Sequence, residues 1–362
     1  MRLALPLFTL CTAVLCGAAH AEDLPGLREQ VLAARGTPAA AAFETTVTRI
    51  MTAPGAQIMV RPYRGEDVGV KGRSWLDPRA KPQSPEVREV FGLSMSDQNQ
   101  AATASNEVPI LAAASVLGLG GEALTRRLDD QLAELSTWSP LQREGWTLID
   151  RDAKLRYNPA GERLPVNDGN SWLATGWGVR AIVDTLEILG DDPLGQKHRP
   201  ALLALLTKEV GFISDDWRQK RPWFVKSNMT RTNQWMLPTE GLIRACIATA
   251  RGPGDADYEL GVANLLATLN DLGAAGEFDE GLSYAMHTIP SALGAARAMA
   301  RAGDNRAVHH PFLKAHPLWF VHHFQPGRQV VNCFDANSGM PVASRDQRGY
   351  RDMLATYAFM LG

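Results

Sequence analysis

Residues 234–272, QWMLPTEGLIRACIATA, then RGPGD, then ADYELGVANLLATLNDL, decide the fold. On both sides of Gly252-Pro253-Gly254-Asp255 the apolar residues recur every three to four positions, the period of a helix with one buried face. Two such helices joined by so short a break form an antiparallel hairpin. Working outward, the same period predicts helices over 25–35, 39–52, 106–117, 122–136, 172–190, 199–213, 282–302 and 311–323, beside 234–251 and 256–272. Gly118-Leu119-Gly120-Gly121 and Gly190-Asp191-Asp192-Pro193 punctuate further pairs. Strand-like alternation is scarce, so the class is all-α.

Stacked helical hairpins without intervening strands build either an α/α toroid or an α-solenoid. A solenoid carries a fixed repeat, and these helices are of unequal length with none, which favours the toroid. Residues 53–104, with Pro54, Pro62, Pro78, Pro82 and Pro85 among polar residues, read as one long irregular excursion, and 150–171 as a shorter one. The expected organisation is a leader over 1–21, a toroid over 22–325, and over 326–362 an extended segment around Gln329–Asp335 followed by a C-terminal helix, as if a further region began there.

The leader has Arg2, an apolar run from Leu3 to Ala18 and Ala19-His20-Ala21, a small-x-small pattern ahead of a signal-peptidase cut. Export to the periplasm or outside the cell is expected, with no membrane span, because no later run reaches about 18 apolar residues. Cys11 and Cys16 would leave with the leader, and Cys246 and Cys333 are too few for a disulfide scaffold. With 37 Lys and Arg against 39 Asp and Glu, the chain lacks the basic excess of a nucleic-acid binder. Residues 217–231 hold a local basic run that suits either a solvated loop or an acidic polymer.

The chemistry concentrates in Thr232-Asn233-Gln234-Trp235 and in Glu280-Gly281-Leu282-Ser283-Tyr284, with His287 one helical turn further on. Neutral amides can hold a carboxylate while charge builds on it, and a phenol or imidazole can move a proton. Removing the proton beside a sugar carboxylate requires both. Tyr284 and His287, three residues apart, share a helix face. Trp172, Asn233 and Tyr284 lie 61 and 51 residues apart, each just after a loop, so a toroid brings them to one rim. Trp172, Trp177 and Trp235 suit sugar platforms or plain core equally. Arg231 is a candidate for substrate contact and for the field that favours a phenolate. Glu280 suits a rim contact or the start of its helix, and Asn233 also suits a helix N-cap.

Asn233-Gln234-Trp235, Gly276–Tyr284, Pro326-Gly327-Arg328 and Asn332–Ala336 together resemble the heparinase II/III-like and alginate-lyase-like polysaccharide lyases, over about half of the mature chain. The resemblance implies an α/α toroid that cleaves uronate-containing polysaccharide, of the alginate, glucuronan or glycosaminoglycan type, by β-elimination. Asn233 would neutralise the uronate carboxylate with Gln234 assisting, and Tyr284 would be base or acid. Relatives often carry histidine after the asparagine; here Gln234 cannot take that proton, and His287 is the nearest substitute. Relatives also continue into a β-sandwich, and its apparent lack implies an incomplete barrel.

Two other functions fit the same groove. A glycoside hydrolase needs two carboxylates about 5–10 Å apart, drawn from Asp279, Glu280 and Asp335, and a glycan-binding protein needs no base at all. His309, His310, His316, His322 and His323 are dense enough to consider zinc, but Pro311 and Pro317 break their spacing, and no metal site or cofactor is expected. Phosphate loops, nucleophile elbows and His-Glu-x-x-His helices do not occur.

Overall fold

The computed structural model describes residues 25–57, 85–139, 141, 171–220, 222–322, 324–325 and 329–330. The expected leader, the 150–170 loop, Asn332–Ala336, Cys333, His323 and the helix near 350–361 lie outside them. Among the described residues the chain is almost wholly helical: α1 Leu27–Ala33, α2 Pro38–Thr52, α3 Pro85–Leu117, α4 Gly121–Leu135, α5 Ser171–Leu189, α6 Pro193–Arg218, α7 Trp223–Lys226, α8 Asn233–Ala248, α9 Ala256–Asp271, α10 Gly281–Arg301 and α11 Pro311–His322. A two-residue antiparallel ladder, β1 Phe324–Gln325 with β2 Gln329–Val330, follows, and pairs Phe324 with Val330.

The helices form two layers. Inner helices α3, α5, α8 and α10 pack side by side in that order, and outer helices α4, α6, α9 and α11 touch one another in sequence behind them. Each inner helix is followed by an outer one, so the chain zigzags through hairpins along an arc. This is the architecture of an α/α toroid. Two reversals restore direction, so α5, α8 and α10 run parallel and their N-termini share one end.

Local chemistry sets the hairpin ends. Asp192 caps α6 by accepting from the Leu194 amide at 2.9 Å, with Pro193 in the first turn where a missing N–H is harmless. Asp255 caps α9 through the amides of Asp257 and Tyr258 at 2.9 and 3.2 Å. The α3–α4 turn uses Gly118 and Gly120 in the left-handed region, at φ 80° and 75°. The Asp192 cap also explains why that helix starts at Pro193, ahead of the 199 expected from periodicity; it continues to Arg218.

One expectation is overturned. The stretch 85–104, read as the end of an irregular excursion, belongs to α3. Pro85 opens the helix, where proline is tolerated, and no further proline occurs before Pro109. Its polar residues mask the period, while packing on α5 stabilises the helix. Some of them are occupied in bridging: the Gln57 amide donates to Gln100 Oε1 at 3.0 Å.

The inner layer is tightest where α5 crosses α8. A Cβ on Gly176 would lie 2.5 Å from the Leu237 carbonyl oxygen and 2.7 Å from its carbon. Backbone cannot yield as a side chain does, so Gly176→Ala should force the helices apart and cost about 1–3 kcal/mol. Chemical denaturation with an unchanged m-value checks this.

Candidate active site at the rim of the inner helices

Trp172, Trp217, Phe224 and Trp235 weld the shared N-terminal end of α5 and α8 to the C-terminal end of α6. Their rings meet edge to face, with centroids 5.6–6.5 Å apart, each pair contributing about 0.5–1.5 kcal/mol beyond its burial. Trp172 is 0% exposed and Trp235 5%. The Trp235 indole N–H donates to the Asn264 carbonyl at 3.1 Å, which ties α8 to outer helix α9. These two tryptophans are therefore core and not sugar platforms, because a ring with both faces packed has none to offer a pyranose. Trp177 is half-buried against the core.

Thr232, not Asn233, caps α8: its hydroxyl accepts from the Trp235 amide at 3.3 Å. Asn233 is the first residue of the helix, half-buried, and its carboxamide has no partner among the described residues. The amide is thus released from the capping role that also suited it. Gln234 follows, also half-buried. Pro238, one turn on, lacks the N–H that would bond the Gln234 carbonyl.

Tyr284 lies in the first turn of α10, half-buried and packed on the core edge. Arg231 Nη1 and Asp279 Oδ2 meet at 2.6 Å, joining the loop before α8 to the loop before α10. Asn233, Gln234 and Tyr284 are therefore on neighbouring first turns at one rim. Both members of this pair are about half exposed, so water screens it and a bound anion could replace Asp279. Glu280 directly precedes α10 without a capping bond from its side chain.

His287 lies one turn deeper. Burial, and then the positive charge of Arg180, hold its imidazole below the ordinary histidine pKa, so it is neutral near pH 7. A neutral imidazole can accept a proton, which Gln234 cannot.

Beneath this rim is an ionic network that periodicity did not single out. Glu240, 1% exposed on α8, accepts from Arg180 Nε at 3.2 Å, from a second Arg180 nitrogen, and from Arg244 Nη1 at 3.1 Å. Arg180 Nη2 also donates to Ser291 Oγ at 3.0 Å on α10, and Arg244 pairs with Asp184 on α5. Burial opposes the Arg244 charge, but Asp184, Glu240 and Glu187 outweigh it and hold the guanidinium above its ordinary pKa. Arg301 and Glu187 close the far end of α10 and α5 at 2.5 Å. The available signal was charged residues at four-residue spacing, 180 with 184 and 240 with 244, inside otherwise apolar helices.

Among the described residues no group of three or more His, Cys, Asp or Glu is placed to hold a metal ion. His316 is wholly buried, bonded to the Gly276 carbonyl at 2.6 Å and stacked between Phe312 and Trp319. Cys246 is a buried free thiol, its pKa pushed up to about 12 by burial and by Asp255 and Asp257. No described helix is long and apolar enough to cross a membrane.

Comparison with known proteins finds solved structures only. Two variants of alginate lyase A1-III, each complexed with tetrasaccharide, are 14% identical to this chain. They cover 80% of it and 82% and 83% of their own length, with TM-scores of 0.39 and 0.41. No protein-family model matches the chain. No curated protein matches it either.

Proposed function

We propose that the protein is an exported lyase that cleaves uronate-containing polysaccharide by β-elimination. The observation that carries this reading is the convergence of the Asn233-Gln234 turn and the Tyr284 turn at one rim, joined by Arg231 and Asp279. In the reaction the amides of Asn233 and Gln234 hold the uronate carboxylate. The proton on the carbon beside it is removed, and the resulting aci-carboxylate is stabilised by donors already in place. Neutral His287 or the Tyr284 phenolate takes that proton, and in this reading Tyr284 delivers one to the leaving glycosidic oxygen. The C–O bond to the leaving sugar breaks as the 4,5 double bond forms, so one product is a 4,5-unsaturated uronate. In this reading Arg231, Glu280 and Trp177 contact the polymer, and the flanking acidic sugars are the groups Arg231 would meet.

The hydrolase alternative is less well supported. Asp279, one of its candidate carboxylates, is bound to Arg231.

The test is incubation of the purified full chain with alginate, glucuronan, heparan sulfate and hyaluronan while following the ultraviolet absorbance of unsaturated uronate. A rising trace on at least one polymer is expected. A flat trace on all four, with the protein shown to be folded, overturns the reading.

A further inference from the structure

We propose that Arg180 is a positioning residue of this site: clamped by Glu240 and Ser291, it fixes the α10 face bearing Tyr284 and His287 against α8 and keeps a permanent positive charge beside His287. The inference rests on the lyase reading above.

The geometry is a three-helix clamp. Arg180 leaves α5, presents its fork to Glu240 on α8 and reaches Ser291 on α10 with the same Nη2. Gly294 makes room for the Glu240 carboxylate, since a Cβ there would sit 2.6 Å from Glu240 Oε1. Ser291 in turn donates its hydroxyl to the His287 carbonyl at 3.2 Å. Tyr284, His287 and Ser291 recur at helical spacing on one face of α10. The guanidinium thus holds the stripe that carries the proton-transfer groups, and α8 offers its amides from one end of the same helix that carries Glu240.

The charge matters as much as the tether. Facing His287 are Arg180 from α5 and, behind it on α8, Glu240, whose carboxylate is shared with Arg244 and, through Arg244, linked to Asp184. On α10 itself Tyr284 and Ser291 flank it. Arginine does not deprotonate in proteins, so the positive charge beside the imidazole persists at every working pH. A buried ion pair is weak grounds for stability alone, because desolvation offsets its attraction. A placed charge and a fixed helix face are what this network supplies.

The test compares wild type with Arg180→Lys, Arg180→Gln and the double variant Arg180→Gln/Glu240→Gln in the full chain. The readouts are the NMR titration of the His287 ring and the pH profile of kcat for unsaturated-product formation. In Arg180→Gln the His287 midpoint should move upward, the acid limb of kcat should move with it, and kcat should fall about tenfold or more while KM stays within about threefold. Arg180→Lys should hold the His287 midpoint near wild type yet lose turnover, because an ammonium cannot reproduce the fork. The double variant removes the uncompensated Glu240 charge, so its division between kcat and KM stands as the readout if Arg180→Gln fails to fold. An unchanged His287 midpoint in folded Arg180→Gln, or a change confined to KM in any folded variant lacking Arg180, overturns the proposal while an active wild type leaves the lyase reading intact. A wild type without unsaturated product overturns that reading and this role together.

Discussion

Tyr284→Phe is expected to slow formation of unsaturated uronate by about 10²–10⁴-fold, the usual contribution of a positioned acid or base. The substitution removes one oxygen from a half-buried ring at the edge of the core, so the packing of α10 should survive. Binding of the polymer should survive too, since the Asn233 and Gln234 amides and Arg231 are untouched. The measurement is kcat and KM on the preferred polymer, with thermal unfolding as control. A loss in kcat with KM and melting temperature nearly unchanged places the phenol in the transition state. Retention of more than about a tenth of the wild-type rate would remove Tyr284 from the chemistry and leave the proton transfers to His287.

Glu240→Ala should be the most destabilising single change in the inner layer, at about 3–5 kcal/mol, because it leaves two guanidinium groups facing a void. Glu240, 1% exposed, joins Arg180 and Arg244. Glu240→Gln keeps the shape and one acceptor and should cost less. Urea denaturation of both variants checks the ordering. A Glu240→Ala cost below about 1 kcal/mol would mean that solvent reaches the network and that Arg180 is not fixed by it.

Tyr284 was legible because a phenol in a first helical turn, about fifty residues after an amide pair, repeats the length of one hairpin. Glu240 was not, because its neighbours Leu237, Leu242 and Ile243 are apolar and a lone carboxylate in such a run reads as an exposed position. Only the packing of α8 between α5 and α10 turns it inward. The tryptophans show the same gap. Trp172 and Trp235 lie near the rim in chain position, yet α6 returns Trp217 against both and closes them into core.

Residue order alone determined the helical class, the hairpin punctuation and the two turns that carry the candidate site. These depend on local rules: apolar period, proline and glycine breaks, and acidic or hydroxyl caps. Tertiary structure alone decided that 85–104 is helix, that Thr232 frees Asn233 from capping, that Arg231 spends its charge on Asp279, and that Arg180, Glu240, Arg244 and Ser291 meet beneath the rim. Each of those outcomes turns on which side of a helix faces a neighbour distant in the chain. A side chain's chemistry there follows from the charge, donor or ring brought against it, which no local spacing contains.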